Sequence, residues 1–393
     1  MQLTDKGFNT QAVHAGGMKE LPADSIVPAI YETSVFRFSK TQELIDVISE
    51  EADGFIYSRF NNPTVKTTES KLTVLEGSED AALFSSGMAA ISTVLLTLLS
   101  SGDHVVATRD IYGGTLVFFM KVLPKFGIKV SLAEATDING IIAAVQEKTK
   151  AIFVETPTNP TLKIVDLQKI AELGKDEMIP VMVDNTFATP YNSRPIQFGM
   201  DIVIHSATKY LGGHHDLTAG VVCGSANFIQ QLKAMRKSLG GTLDPVAAWL
   251  LLRGLKTLGL RMERHNSNGM AIAKFLTNHP KVRQVYYPGL TKHPQHALAK
   301  QQMQGFGGVV SFEINGNMKT AMNFVENLQL CQLAASLGGT ETLATQPVTS
   351  SHYAISPEDR QKAGITDQLV RLALGIEDPE DIIEDLEQAF NKI

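Results

Sequence analysis

Short runs of apolar residues alternate with segments of helical periodicity between residues 80 and 224. Runs that are apolar throughout are typical of strands buried on both faces of a sheet. Their alternation with helices predicts βαβ units, and so an α/β fold with a mostly parallel central sheet flanked by helices. The predicted strands cover residues 81–84, 104–107, 129–132, 151–155, 181–184, 202–205 and 220–223.

The pattern changes on either side of this region. The first 60 residues have weak periodicity and several turn signals, which predicts an extended arm with one short helix near residues 40–50. Asp244-Pro245 opens a long helical stretch that runs toward Phe275, because proline suits the first turn of a helix. Further predicted elements are strands at 282–286, 309–314 and 370–374 and an amphipathic helix at 378–390.

These patterns predict an N-terminal arm of residues 1–60, a larger α/β domain of residues 61–245 and a smaller C-terminal α/β domain of residues 246–393. The net charge of −6 gives no reason to expect nucleic acid or an anionic membrane as a partner. The two cysteines lie far apart, and the N-terminus lacks an apolar signal core, so we expect a reducing cytoplasm.

Two of the predicted strands lead to residues with complementary chemistry. Asp184 ends one run, and Lys209 follows another in the segment Ser206-Ala207-Thr208-Lys209. Carboxyl ends of parallel strands meet at one edge of a sheet, so the amine and the carboxylate are expected there together. That pair suits pyridoxal phosphate (PLP), because the amine can bond to its aldehyde and the carboxylate can keep its pyridine nitrogen protonated. Taken singly, a surface lysine and a helix-capping aspartate are the simpler interpretations.

Other residues near predicted strand ends suit the phosphate and the ring of such a cofactor. Ser86-Gly87-Met88 lies between a strand and a helix, where free N–H groups and the helix dipole favour a phosphate, although most such turns are only caps. Ser206 and Thr208 could add hydroxyl donors to the same phosphate. Tyr112 could stack on the pyridine ring, or it could simply be a buried tyrosine.

Two further polar segments have competing interpretations. Arg59, in Tyr57-Ser58-Arg59, lies in the arm and could be solvated, but arginine also suits a phosphate dianion. An arm segment that reaches a cofactor site would reach the site of a second subunit. His214-His215-Asp216 lacks helical ligand spacing, so we interpret it as loop structure and predict no metal site.

The motifs in this order resemble the trans-sulfuration family of PLP-dependent enzymes over nearly the whole chain. The resemblance implies the aspartate-aminotransferase type of fold (fold type I), PLP as cofactor, and a homotetramer of two dimers whose active sites are shared between subunits. The motifs that carry it are Tyr57-Ser58-Arg59, Ser86-Gly87-Met88, Glu155-Thr156-Pro157-Thr158-Asn159-Pro160, Asp184-Asn185-Thr186 and Ser206-Ala207-Thr208-Lys209.

The resemblance also implies a role for each matching residue. Lys209 would bond to the cofactor and carry protons, Asp184 would pair with the pyridine nitrogen, and Tyr112 would stack on the ring and act as acid or base. The implied phosphate ligands from the same chain are Gly87, Met88, Ser206 and Thr208. The implied phosphate ligands for the neighbouring subunit are Tyr57 and Arg59. The implied ligands of the substrate carboxylate are Arg371, Asn159 and Ser336.

Pocket residues bear on the substrate. In family members that cleave cystathionine, glutamates stand at the positions that match Ile56 and Ala335 here, and an apolar pocket suits the thioether of methionine better. The expected reaction is therefore α,γ-elimination, from L-methionine to methanethiol, 2-oxobutyrate and ammonia. Gly114 replaces a cysteine that many methionine-cleaving relatives carry, and this change could shift the chemistry toward γ-replacement on O-acetyl- or O-succinylhomoserine. Cleavage of cystathionine and an inactive cofactor-binding regulator are the remaining alternatives.

Overall fold

The computed structural model describes residues 3–16, 24–353 and 355–393. Within these ranges the strands form one seven-stranded and one five-stranded sheet, with helices packed around both. None of the helices in these ranges combines the length and the apolar surface that spanning a bilayer requires.

The larger sheet confirms the predicted alternation of strands and helices. Its order is β1-β7-β6-β5-β4-β2-β3, in which β1 is Asp80–Phe84, β2 is His104–Thr108, β3 is Lys129–Ala133, β4 is Thr149–Glu155, β5 is Val181–Asp184, β6 is Ile202–Ser206 and β7 is Gly220–Gly224. The strands run parallel except for β7, which is antiparallel to both β1 and β6. The prediction of a mostly parallel sheet is therefore confirmed.

The helices divide between the two sheets. Those of the first part are α1 (Phe8–His14), α2 (Thr41–Ile48), α3 (Pro63–Glu76), α4 (Gly87–Leu98), α5 (Gly113–Val117), α6 (Ile138–Ala144), α7 (Leu167–Glu177), α8 (Thr189–Asn192), α9 (Ala226–Leu239) and α10 (Pro245–Leu255). Those of the second part are α11 (Leu258–Thr277), α12 (His296–Gln302), α13 (Met318–Glu326), α14 (Pro357–Lys362) and α15 (Pro379–Phe390). The predicted helix near residues 40–50 corresponds to α2, whereas α1 was not predicted.

The smaller sheet follows the long helices. Its order is β10-β11-β12-β9-β8, in which β8 is Val282–Tyr286, β9 is Val309–Ile314, β10 is Gln332–Leu333, β11 is Leu343–Thr345 and β12 is Leu369–Ala373. Only the contact between β10 and β11 is parallel. The two shortest strands, β10 and β11, were not predicted, because runs of two and three residues carry no periodicity.

The long stretch after Asp244 is two helices and not one. Asp244 caps α10 by accepting a hydrogen bond from the Val246 N–H at 2.9 Å, and the chain turns between Leu255 and Leu258. Leu258 at the start of α11 packs in the core of the larger sheet, whereas Leu276 near its end packs in the core of the smaller one. Helix α11 therefore joins the two cores, and the division at residues 60 and 245 stays a prediction.

Candidate active site

A cavity of about 530 Å³ lies at the carboxyl ends of β4, β5 and β6. Ten of the predicted site residues line it together: Gly87, Met88, Tyr112, Asn159, Asp184, Ser206, Thr208, Lys209, Ser336 and Arg371. Gly114, Tyr57 and Arg59 do not line it. The fold therefore collects residues from seven separate segments at one sheet edge, as expected for parallel strands.

The N-terminus of α4 forms one wall of this cavity. Ser86 caps the helix by accepting a hydrogen bond from the Ala89 N–H at 3.1 Å, so the chain enters the helix at Gly87. A Cβ atom on Gly87 would lie only 2.9 Å from the Cβ of Ser206, so this close approach requires glycine. The first N–H groups of a helix have no partner within it, and here they stand beside the Ser206 and Thr208 side chains. This arrangement is a cradle suited to a phosphate.

Lys209 also lines this cavity. Its amine donates a hydrogen bond to the Ser336 hydroxyl at 2.8 Å. Burial and the nearby Arg371 guanidinium lower the pKa of Lys209 to about 8. Burial disfavours the charged ammonium, and the guanidinium repels it. A large fraction of the amine is therefore neutral near pH 8, which is the form that can attack an aldehyde or accept a proton.

Asp184 is held at the end of β5 by a turn. Its Oδ1 accepts hydrogen bonds from the Thr186 N–H at 3.0 Å and from the Thr186 hydroxyl at 2.5 Å. Burial raises the pKa of Asp184, while the Thr186 hydrogen bonds and His205 oppose that change. A protonated pyridine nitrogen would give this buried carboxylate the positive partner that favours its charged form.

Arg371 lies on β12 and brings the smaller sheet into the site. Its Nη1 donates to Asn159 Oδ1 at 3.1 Å, and its Nη2 donates to the Ser336 carbonyl at 2.9 Å. In the described ranges its buried Nε has no hydrogen-bond partner, which leaves a donor for an anion such as a carboxylate. Burial lowers the pKa of Arg371 to about 10, so the guanidinium remains charged at neutral pH.

Ser336 links the last two groups in a constrained conformation. Its φ angle is 132°, a value that residues with a side chain rarely adopt. The hydroxyl accepts from Lys209 and the carbonyl accepts from Arg371, so both ends of the residue are used. Strain of this kind is characteristic of functional sites, where surrounding contacts maintain it.

Tyr112 precedes α5 with its side chain 45% exposed and facing the cavity. Its peptide N–H donates to Glu155 Oε2 at 2.8 Å. A Cβ atom on Gly114 would lie 2.5 Å from Cε1 of the tyrosine, so glycine at this position leaves room for the ring. Gly114 thus acts on the cavity through Tyr112.

The arm residues lie apart from the cavity of their own chain. Arg59 donates a hydrogen bond to the Lys237 carbonyl, and its guanidinium lies 5.0 Å from the centre of the Phe60 ring. Tyr57 is 38% exposed. Their contribution to a neighbouring subunit therefore stays a prediction.

Sequence reasoning assigned no role to several residues that the structure places in the cavity. Thr186 follows Asp184 by two residues, which is the spacing of an Asx turn and could have been recognised. Glu155 ends a predicted strand, so its charge at a buried edge was also a signal. The other unassigned residues of the cavity are Ile91, Phe187, Thr218, Leu337, Ser350 and Ser351.

Together, a phosphate cradle, a lysine of lowered pKa and a buried carboxylate fit PLP, and the class of protein that they define is a PLP-dependent enzyme. The sequence profile of the family described as Cys/Met metabolism PLP-dependent enzymes matches residues 9–391. The chain belongs to that family, so its cofactor is pyridoxal 5′-phosphate and the expected fold type is confirmed.

Known relatives have different activities. The chain is 43% identical to an L-methionine gamma-lyase of Fusobacterium nucleatum subsp. polymorphum, with 100% of both chains covered. It is also 43% identical to the chloroplastic cystathionine gamma-synthase 1 of Arabidopsis thaliana, covering 100% of this chain and 71% of that protein. The crystal structure of a cystathionine gamma-lyase from Lactobacillus plantarum matches with a TM-score of 0.93 and 39% identity, covering 99% of each chain. The chain is therefore a PLP-dependent carbon–sulfur lyase or synthase of trans-sulfuration, which works by elimination or replacement.

Proposed function

We propose that the chain catalyses α,γ-elimination on L-methionine, which consumes water and yields methanethiol, 2-oxobutyrate and ammonia. The observation that supports this choice is the lining of the cavity beside Ser336. Ala335 and Leu337 flank that residue, and Phe187 lies in the same lining. Within the described ranges, the carboxyl groups of the lining are those of Glu155 and Asp184, at the ends of β4 and β5. The distal ammonium of a larger substrate such as cystathionine would therefore be left unpaired.

Substrate orientation follows from the contacts of Arg371. Its free Nε and charged guanidinium bind the substrate carboxylate, while Asn159 and Ser336 fix the guanidinium plane. The substrate amino group then lies toward Lys209, and its side chain extends along the apolar lining. Orientation of this kind lowers the barrier by pre-paying the entropy of alignment.

Proton transfers are assigned to two residues of the cavity. PLP, when bound, withdraws electrons from the carbons next to the substrate nitrogen and so makes their protons acidic. Lys209 takes and returns these protons, which its lowered pKa of about 8 favours. The Tyr112 hydroxyl donates a proton to the departing thiolate sulfur. Asp184 stays anionic and holds the positive charge on the cofactor ring nitrogen.

The phosphate is assigned to groups on two chains. Gly87, Met88, Ser206 and Thr208 bind it from the chain that carries the lysine. Tyr57 and Arg59 of a second copy complete the cradle, because they lie outside the cavity of their own chain.

We infer a homotetramer of two such dimers, in which the arm of residues 1–60 contacts the neighbouring subunit. Residues 61–245 then form the PLP-binding domain and residues 246–393 the C-terminal domain. Two buried free cysteines, Cys223 and Cys331, suit the reducing cytoplasm that we propose as its location.

One set of assays tests the choice of reaction. Purified holoenzyme is incubated separately with methionine, homocysteine, cystathionine, and O-acetyl- or O-succinylhomoserine with cysteine. We expect 2-oxobutyrate and methanethiol from methionine at a rate well above all other products. Accumulation of cystathionine from an acylated homoserine would instead assign γ-replacement, and keto acid from cystathionine alone would assign the cystathionine-cleaving activity. A protein that binds PLP and converts none of these substrates would be a regulator.

A further inference from the structure

Glu155 is a buried carboxyl group at the centre of the site. It is the last residue of β4, it is 4% exposed, and its Cα is paired in the sheet with that of Asp184 on β5. Its Oε2 accepts a hydrogen bond from the Tyr112 N–H at 2.8 Å, and the Asn159 N–H points to the same carboxyl. One side chain therefore connects the loop that carries the tyrosine with the loop that carries Asn159.

Burial and two acidic neighbours disfavour an anion at Glu155. The charges of Asp184 and Asp110 repel it, whereas the Arg371 guanidinium attracts it. The Lys163 amine pairs with Asp110 at 2.8 Å. The Arg371 guanidinium donates its hydrogen bonds to Asn159 and to the Ser336 carbonyl. Burial and the Asp184 charge raise the pKa of Glu155 well above its usual range, against the weaker effect of two peptide N–H donors.

Two carboxyl groups on paired strand positions interact strongly, and their environments decide which one keeps the proton. Asp184 has a hydroxyl and a peptide N–H from Thr186 at 2.5 and 3.0 Å, and the proposed ring nitrogen gives it a cation. Glu155 has peptide N–H groups alone among its described donors. Asp184 is therefore the ionised member of the pair, and Glu155 is the protonated one.

We propose that Glu155 is a positioning residue that works as a neutral carboxylic acid. It holds the loops of Tyr112 and Asn159 in fixed positions relative to each other, while Asp184 carries the negative charge of the pair. The role rests on the proposed function, because it assumes that Tyr112 stacks on the cofactor and that Asn159 fixes Arg371. Through these two loops, Glu155 sets the distance between the ring-stacking face and the carboxylate clamp.

The same amide substitution at the two paired positions tests this assignment. Glu155→Gln removes no needed charge and keeps an oxygen that can accept from the Tyr112 N–H, whereas Asp184→Asn removes the anion. We expect E155Q to keep the dissociation constant for PLP within about threefold of the wild type, and D184N to weaken it by about a hundredfold. Glu155→Leu, which has similar size but no acceptor, should lower kcat/KM by about ten- to a hundredfold, a loss that E155Q should largely avoid.

Infrared difference spectroscopy of the holoenzyme, wild type against E155Q, gives a readout that is independent of activity. The wild type at pH 7 should show a carbonyl band of a protonated carboxylic acid that is missing in E155Q. Absence of such a band, or a loss of PLP affinity in E155Q equal to that in D184N, would show that Glu155 acts as an anion and would overturn the proposal. Equal activity of E155L and E155Q would remove the positioning role. A wild type that binds no PLP would instead contradict the proposed function itself.

Discussion

The carboxyl edge of the larger sheet and the N-terminal arm differ in how far one chain completes them. At the sheet edge, Lys209, Asp184 and Arg371 already have directed hydrogen bonds to their neighbours. In the arm, α2 has no buried residue, and several apolar side chains face solvent. The most exposed of these are Ile26, Val35, Ile45 and Ile48, of which Ile26 is 92% exposed.

From this contrast we infer that one part of the site is intrinsic to the fold and that another depends on a second copy of the chain. Clustered apolar side chains on a surface mark an interaction site, and a second copy of the chain brings an identical arm. The sheet edge assembles the chemistry, and we infer that the arm supplies the missing phosphate ligands in the assembly. Each prediction below separates these two contributions.

The largest effect should come from the lysine at the sheet edge. Lys209→Ala removes both the covalent attachment and the proposed proton carrier, so kcat should fall by about a thousandfold or more. Borohydride reduction of the wild-type holoenzyme, followed by peptide mapping, should place the cofactor on Lys209, and K209A should give no labelled peptide. A label on another residue would show that the edge is not the cofactor site.

Arg371 should come next in size. Arg371→Lys keeps a positive charge but loses the fork that binds a carboxylate at two points, so kcat/KM should fall by about a hundredfold. The loss should appear mainly in KM, and the absorption spectrum of the bound cofactor should change little. A large change in PLP affinity with normal KM would place Arg371 at the cofactor instead of the substrate.

The arm can be tested by mixing two impaired variants at a PLP concentration that leaves R59A homodimers largely without cofactor. Arg59→Ala should weaken PLP binding by about tenfold or more, because a charged phosphate contact is lost. After refolding together, R59A and K209A chains should form mixed dimers with one intact site, which restores up to about a quarter of wild-type activity if subunits mix at random. If the mixture gains no activity over the two variants measured separately, while their dimers are shown to exchange, the arm does not act across the interface.

The pH dependence of cofactor binding tests the local charges. The pKa of Lys209 is lowered from 10.5 to about 8, so its amine is protonated and unreactive below that pH. The rate at which cofactor-free protein bonds to PLP should therefore rise with pH and level off above about 8, as followed by absorbance. Arg371→Met should move this plateau to higher pH, since a positive neighbour is removed, and R371K should not. A plateau above pH 10 in the wild type would contradict the inferred environment.

Sequence patterns predicted the strands of the larger sheet, and the motifs at their ends predicted which residues meet. The antiparallel direction of β7 was not predictable, because an apolar run has no direction until its connection is known. The break between α10 and α11 depends on a tertiary contact: Arg261 Nη2 donates to the Gly254 carbonyl at 2.8 Å, and Gly254 packs against the Gly212 carbonyl. Glu155 shows the same limit, since its importance comes from the register that pairs it with Asp184.

The smallest effect should come from Gly114, which acts on the sheet edge through one aromatic ring. In Gly114→Ala, the new Cβ would lie 2.5 Å from Tyr112 Cε1, and the ring can move because its side chain is half exposed. We therefore expect little change in Tm but a loss of kcat/KM of about threefold to tenfold, because only the angle of the stacked ring changes. Gly7→Ala, which would meet nothing within 4 Å, is the matched control and should be neutral in both measurements. If G114A alters the ratio of 2-oxobutyrate to cystathionine formed in the presence of cysteine, the position of the ring also selects between elimination and replacement. If G114A behaves like G7A, the ring tolerates the change, and substrate specificity is set by the apolar lining beside Ser336.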